Sequence, residues 1–255
     1  LICHLHDFVR DVELTEAEWF EAIEFLTATG QKCDDKRQEF ILLSDTLGVS
    51  MLVDAINHRK PGGATESTVF GPFYVNGSPS MPKWSNIAEG VAGEPTFMFG
   101  HVKTIDAKPI AGAQLDLWQT DGEGFYDVQL ADFKGMRARG KITTDAEGRY
   151  GFRTIKPVSY PIPTDGPVGN MLNGMGRHPY RPAHIHAIVS APGFEPVTTH
   201  VFVKGDPYLQ SDAVFGVKNS LLAEFVKREG NAPDGTKTSE PFWEVQYDFV
   251  LASAK

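Results

Sequence analysis

From about residue 66 onward, short apolar runs alternate with clusters of Gly, Pro, Asp and Asn, and this rhythm constrains the fold more than any other feature. The clearest runs are TFMFGHVKTID (96–106), AQLDLWQTD (113–121), RYGFRTIKP (149–157), AHIHAIVSA (183–191), THVFVKGD (199–206) and WEVQYDFVLA (243–252). Their regular spacing predicts an antiparallel sandwich or barrel. DAEGRYGF at 145–152 reads as the tight turn of a hairpin.

Residues 1 to about 65 have a different texture. In TEAEWFEAIEFLTATGQKC, Thr15 is a natural N-cap with Glu18 three positions on, a capping box. Trp19, Phe20, Ile23, Leu26 and Thr27 then follow at helical spacing. Phe40, Leu43, Leu47, Met51, Leu52 and Ala55 continue the pattern, and Gly30 and PGGAT (61–65) punctuate it. The expectation is an α+β, mostly β chain. An N-terminal α-helical layer (1–65) sits on an antiparallel β-sandwich (66–255). The apolar surplus between residues 19 and 56 exceeds what a small helical layer needs, so part of it should pack on the sandwich or on a second subunit.

The 255 residues include 41% hydrophobic and 22% charged residues, enough for a proper core. No apolar run approaches the ~20 residues of a membrane span. The net charge of -9 argues against nucleic acid or an anionic membrane as partner. Two cysteines, Cys3 and Cys33, build no disulfide framework, and LICHLHDFVR does not read as a signal peptide; both point to the cytoplasm.

Within AHIHAIVSA, His184 and His186 are two apart on a strand, so both imidazoles project from one face. A buried imidazole costs free energy without a partner. A metal ion would satisfy both, and two separately hydrogen-bonded core histidines would serve equally well. The carboxylate of a cupin or of a ferrous facial triad is missing, because Ala187, Ile188, Val189 and Ser190 follow; no cysteine lies near. Tyrosinate is the remaining hard anionic ligand, and it favours ferric iron. Of seven tyrosines, two have unusual settings. Tyr126 follows the glycine-rich turn DGEGF, and Tyr160 lies in KPVSYPIPTDGP, where prolines stiffen the backbone.

DLWQTDGEGFYDVQ, SYPIPTDGPVG, GRHPYRPAHIHAIVSAPGF, THVFVKGDPYLQSDAVFGVK and ESTVFGPFYV together resemble the intradiol ring-cleaving dioxygenases. The likeness extends through the N-terminal DKRQEFILLSDTLGVSMLVDAIN, and it is nearer to the catechol, hydroxyquinol and chlorocatechol 1,2-dioxygenases than to the two-chain protocatechuate enzymes. The resemblance implies one non-haem Fe(3+) per chain, ligated by Tyr126, Tyr160, His184 and His186. It implies Tyr160 as the tyrosinate that a catechol displaces and Arg181 as a cation beside the substrate. Both atoms of dioxygen would enter a cis,cis-muconate without a reductant or organic cofactor. His200 falls where catechol-cleaving relatives commonly carry Gln; it is either a group beside the site or a structural strand histidine. The helical N-terminus of such enzymes forms a homodimer interface with a tunnel that holds phospholipid acyl chains.

Asp45, Val49, Phe73, Tyr74, Ile162 and Arg181 are the candidate substrate-binding residues. The shortness of the chain resembles chlorocatechol enzymes, whereas DKRQEFILLSDTLGVSMLVDAINHR and SDAVFGVKNSL resemble hydroxyquinol enzymes. Tyr74 replaces the His of GPFHV in the latter, which removes a polar partner for a third hydroxyl. On that ground the expected substrate is a chlorocatechol, with hydroxyquinol cleavage to maleylacetate as the alternative. The rival classes are a non-catalytic β-sandwich binding module and a hydrolytic zinc site built on His184 and His186.

Overall fold

The computed structural model describes residues 1–35, 37–130 and 133–254. Four helices open the chain: α1 (Ile2–Asp11), α2 (Glu16–Gln31), α3 (Glu39–Thr46) and α4 (Val49–Asn57). The capping box forms as the sequence predicts. The Glu18 amide donates to Thr15 Oγ1 at 3.3 Å, and the Thr15 amide donates to Glu18 Oε2 at 2.9 Å. Gly30 does not end α2, which runs one residue further with Gly30 against the Phe40 ring. The expected single apolar stripe over residues 40–55 is broken at Gly48, whose φ of 75° turns the chain between α3 and α4. Leu43 and Met51 therefore face the interior, whereas Phe40, Leu47 and Leu52 face outward. Among the described residues, no helix is long and apolar enough to cross a membrane.

The remainder contains β1 (Ser80–Met81), β2 (Pro95–Thr104), β3 (Gln114–Trp118), β4 (Arg139–Thr143), β5 (Arg149–Ile155), β6 (Tyr160–Pro161), α5 (Pro167–Gly174), β7 (Tyr180–Arg181), β8 (His184–Ser190), β9 (Val197–Val203), β10 (Leu222–Ala223), β11 (Val226–Arg228), β12 (Phe242–Gln246) and β13 (Phe249–Leu251). One sheet has the order β1-β4-β3-β8-β9-β10. The facing sheet has the order β11-β12-β2-β13, with β5 also on β2. The sheets are mixed rather than wholly antiparallel. The pairs β3–β4, β3–β8, β8–β9 and β2–β5 are antiparallel, but β1–β4, β9–β10, β2–β12 and β2–β13 are parallel. Parallel pairing needs a long return of the chain, and each of these partners comes back after such a detour. DAEGRYGF is likewise not a hairpin: β4 belongs to one sheet and β5 to the other, so the turn is a corner between layers.

The core lies between the sheets and includes Met98, Val102, Leu115, Leu117, Ile142, Phe152, Ile185, Ala187, Val189, Val201, Val245 and Phe249. Each fully buried aliphatic side chain contributes about 1.5–3 kcal/mol. On β8, Ile185, Ala187 and Val189 enter this core, so the strand's two-residue period sends His184, His186 and Ile188 to the opposite face. A one-residue register slip would drive the imidazoles into apolar packing, so the core locks their direction. A second cluster from α3, α4, α5 and the 69 and 214 regions, with Leu42, Leu43, Met51, Val168, Leu172 and Val214, caps that opposite face.

Candidate metal centre

The face of β8 turned away from the core holds four convergent donor atoms. His184 Nε2 lies 3.1 Å from His186 Nε2, His186 Nε2 lies 2.7 Å from Tyr126 Oη, and Tyr126 Oη lies 3.0 Å from Tyr160 Oη. All four side chains are buried. The His184 Nδ1–H donates to the Pro182 carbonyl at 2.7 Å, which leaves the Nε2 lone pair aimed at the cluster. His186 is stacked on Trp118 at 4.5 Å, and its Nδ1 has no hydrogen-bond partner among the described residues.

Each tyrosine is aimed by its own local device. Asp121 Oδ1 accepts the Glu123 and Phe125 amides, closing the loop before Tyr126. The Tyr126 amide then donates to Gln129 Oε1. Gly124, at φ 91°, packs so tightly that a Cβ there would stand 2.8 Å from Tyr160 Cβ; only glycine lets the two tyrosine-bearing segments meet. Asp206 Oδ2 accepts from Ser159 Oγ at 2.5 Å and from the Ala183 amide at 3.0 Å. It thereby ties the residue before Tyr160 to the residue before His184.

Arg181 is buried and paired with Asp212, Nε to Oδ1 at 3.1 Å and Nη2 to Oδ2 at 3.3 Å. Its remaining contacts reach the cluster: Nη1 is 3.3 Å from His184 Nε2, and Nη2 is 3.4 Å from His200 Nδ1. His200 stacks on His184 at 4.5 Å and meets the edge of His186 at 4.1 Å. Burial, seconded by Arg181 at His184 and by the neighbouring histidines at His186 and His200, holds all three imidazoles well below their usual titration range and hence neutral. Burial, then Tyr160, pushes the Tyr126 phenol well above its usual value, against the pull of Arg181 and Arg139.

Sequence reasoning missed what stands behind Tyr126. Arg139 and Asp127 form a fully buried ion pair, with Arg139 Nε 2.7 Å from Asp127 Oδ2 and Nη2 2.7 Å from the Phe73 carbonyl. Asp212 and Trp118 were missed as well. Each is remote in sequence from its partner, and an isolated Arg or Asp carries no local signal.

A cavity of about 530 Å³ opens against this face. Asp45, Val69, Gly71, Ile188 and Thr198 are among its walls, and Gly71 touches His186, a Cβ there falling 3.4 Å from His186 Cε1. Asp45 is buried, and burial raises its carboxyl above the usual range despite a hydrogen bond from Ser50. Phe73 stacks on Tyr126 at 4.5 Å, and Ile162 is buried in the α3–α5 cluster. Val49 opens α4, half exposed and outside the cavity wall. Tyr74 lies outside that wall too. Its ring packs on Trp118 and Phe70, and its hydroxyl donates to Asp116 at 3.0 Å.

The donors fit a metal ion. Atoms about 2.1 Å from one point and at right angles are about 3.0 Å apart, which matches the separations here. His184, His186 and His200 also converge as a three-imidazole set. The Tyr126 and Tyr160 hydroxyls would be the more telling donors, because a cation among the four would turn the Tyr126 phenol, which burial keeps protonated, into a phenolate.

Residues 1–65 match the family described as "Catechol dioxygenase N terminus", and residues 69–253 match the "Dioxygenase" family. The chain is 54% identical over 255 residues to a hydroxyquinol 1,2-dioxygenase of Rhizobium sp. (strain MTP-10005), covering 97% of this chain and 85% of that one. It is 52% identical over 251 residues to a 6-chlorohydroxyquinol 1,2-dioxygenase of Cupriavidus pinatubonensis, covering 98% and 87%. The solved hydroxyquinol 1,2-dioxygenase of Pseudomonas putida DLL-E4 superposes with a TM-score of 0.95 at 51% identity, covering 99% of this chain and 89% of that one.

Proposed function

The chain belongs to the intradiol ring-cleavage dioxygenases, enzymes that open catechol-type rings with dioxygen, and from that premise we propose that it cleaves hydroxyquinol, benzene-1,2,4-triol, at a ferric site. The observation that carries the iron reading is the convergence of Tyr126 Oη, Tyr160 Oη, His184 Nε2 and His186 Nε2. These four residues would hold one Fe(3+). Bound there, a ferric ion supplies Lewis acidity and electron-accepting character toward a chelating diol. Membership in the family replaces the binding-module and zinc-hydrolase readings.

The chain's own residues have separable tasks. Tyr160 Oη would take one proton of the chelating diol as it gives way to it, while Tyr126 Oη would stay with the metal. Arg181, fixed by Asp212, places a permanent cation beside His184, where negative charge on the ring is stabilised. His200 accepts from Arg181 and holds that guanidinium in register with the two imidazoles. Phe73 presses Tyr126 from behind the site, and the capping cluster excludes water. Asp45 supports hydroxyquinol over chlorocatechol. A buried carboxyl on the cavity wall can pair with a third hydroxyl, whereas a chlorine there offers it no hydrogen bond beyond the one from Ser50. The relatives above carry hydroxyquinol in their names, which also favours the triol. Cleavage between the two adjacent hydroxylated carbons gives a hydroxymuconate, the enol form of maleylacetate.

The unpacked α1 and the outward Trp19, Phe20, Ile23 and Leu26 of α2 support the homodimer expected of such enzymes, with acyl chains lying on the same surface. The test of the main reading is the visible spectrum of the iron-loaded protein, titrated without oxygen and then aerated, with hydroxyquinol, catechol and 3-chlorocatechol. A tyrosinate-to-iron band that shifts on addition, and turnover fastest with hydroxyquinol, is the expected result. A colourless protein with full iron would overturn the tyrosinate ligation, and faster turnover of 3-chlorocatechol would overturn the substrate.

A further inference from the structure

The cavity starts just outward of the four donors, at Gly71 against His186, and none of the four lines it. It follows β8 and β9 outward: His186 pairs with His200, the next same-face pair is Ile188 with Thr198, and Pro196 follows. Four residues of strand separate His200 from Pro196, about 13 Å. At that outer end lies Lys60, half-buried, its Nζ donating to the Pro196 carbonyl at 3.0 Å. Among the described residues no carboxylate lies within 4.0 Å of that Nζ. The acidic groups nearby are otherwise engaged or set back. Asp54 is committed to His58 Nδ1 at 2.8 Å, to Ser67 Oγ at 2.9 Å and to Lys218 at 3.6 Å, and Glu195 and Asp54 act on Lys60 only electrostatically, from beyond ion-pair distance. His58 shares this rim.

Ring cleavage changes the charge of the bound molecule. A triol whose hydroxyls ionise near a pH of about 10 enters neutral. Breaking the bond between the two hydroxylated carbons and adding both atoms of dioxygen turns those carbons into carboxylates, so the product leaves as a dianion. A chain of net charge -9 repels such a product, which raises the need for a local cation on its way out.

We infer that Lys60, with His58 beside it, forms an exit subsite at the outer end of the cavity that binds one carboxylate of the dicarboxylate product. This rests on the ring-cleavage reading above. Lys60 acts on product and not on the neutral substrate, so its removal should alter product affinity and leave the KM for hydroxyquinol unchanged.

The experiment is calorimetric titration of cis,cis-muconate, a dicarboxylate probe, into the iron-loaded protein and its Lys60→Met, Lys60→Arg and Lys227→Met variants, at low and high salt, with turnover assayed alongside. Wild type, Lys60→Arg and Lys227→Met should bind alike, and more weakly as salt rises. Lys60→Met should bind about fivefold more weakly, as expected for one partly exposed ion pair, and with less salt dependence. Equal muconate affinity in Lys60→Met, or no muconate binding by wild type, would overturn the exit subsite. Failure of the wild-type protein to cleave any catechol would instead overturn the ring-cleavage reading, while the titration still reports on Lys60.

Discussion

Replacing Arg139 by Met removes a cation whose partner cannot reach water. In the Arg139–Asp127 pair the two side chains are 1% and 2% exposed, so Asp127 would be left charged in the interior. Breaking one side of such a pair costs about 3–5 kcal/mol. Asp127 keeps two other donors, the Val128 amide at 2.9 Å and the Arg137 amide at 3.0 Å, which places the expected loss near the lower end, about 3 kcal/mol. With a urea slope of about 3 kcal/mol/M, the unfolding midpoint falls by about 1 M. The Tyr126 loop also loses its link to the Phe73 carbonyl, so the tyrosinate-to-iron absorbance should weaken in the same variant. Urea titration by circular dichroism, with the visible spectrum recorded on the same samples, measures both. The double variant Arg139→Met/Asp127→Asn should recover about 1–2 kcal/mol, because the stranded charge is gone. A midpoint shift below about 0.3 M in Arg139→Met would refute the claim that a desolvated ion pair braces Tyr126.

Chelation of the metal should abolish ring cleavage and colour together, and adding back Fe(3+) should restore both. The His186→Ala variant should bind iron too weakly to be coloured, checked by metal analysis after desalting. Asp45→Leu should lower kcat/KM for hydroxyquinol by about 10- to 100-fold while changing that for catechol far less, since the lost hydrogen bond serves the third hydroxyl alone. The neutral histidines predict an acid limb for the iron-stripped chain. Their folded pKa values lie below the ordinary 6.5, so the unfolded chain takes up protons that the folded one refuses. Stability is therefore full above pH 6.5 and lost as pH falls below it, by up to about 4 kcal/mol per pH unit for three such groups, read by urea unfolding at pH 7 and 5.5. Asp165, paired chiefly with Arg37, has its carboxyl held down at about 2. Its titration followed by NMR should move upward in Arg37→Gln.

The paired histidines were legible in the chain itself. On a strand, a two-residue period places His184 and His186 on one face, whereas DGEGF and the flanking prolines marked Tyr126 and Tyr160 only as unusual settings, and it was the family resemblance that implied them as ligands. The Thr15 capping box was legible for the same reason, because its physics spans three residues. Local chemistry of this kind is complete within one short segment. What the segments could not reveal is which face meets which neighbour. DAEGRYGF has every mark of a hairpin turn, yet β4 and β5 pair with strands of different sheets, since pairing is decided by core burial and not by the turn. The parallel partners of β2 arrive from more than a hundred residues away, beyond any local pattern. The Tyr74 hydroxyl found its partner in Asp116, 42 residues away, which no local pattern announces. Arg139, Asp127 and Asp212 gained their places behind the tyrosine and the arginine only when distant segments closed on one another. Burial and charge pairing depend on three-dimensional neighbours, and those are properties of the whole packed chain.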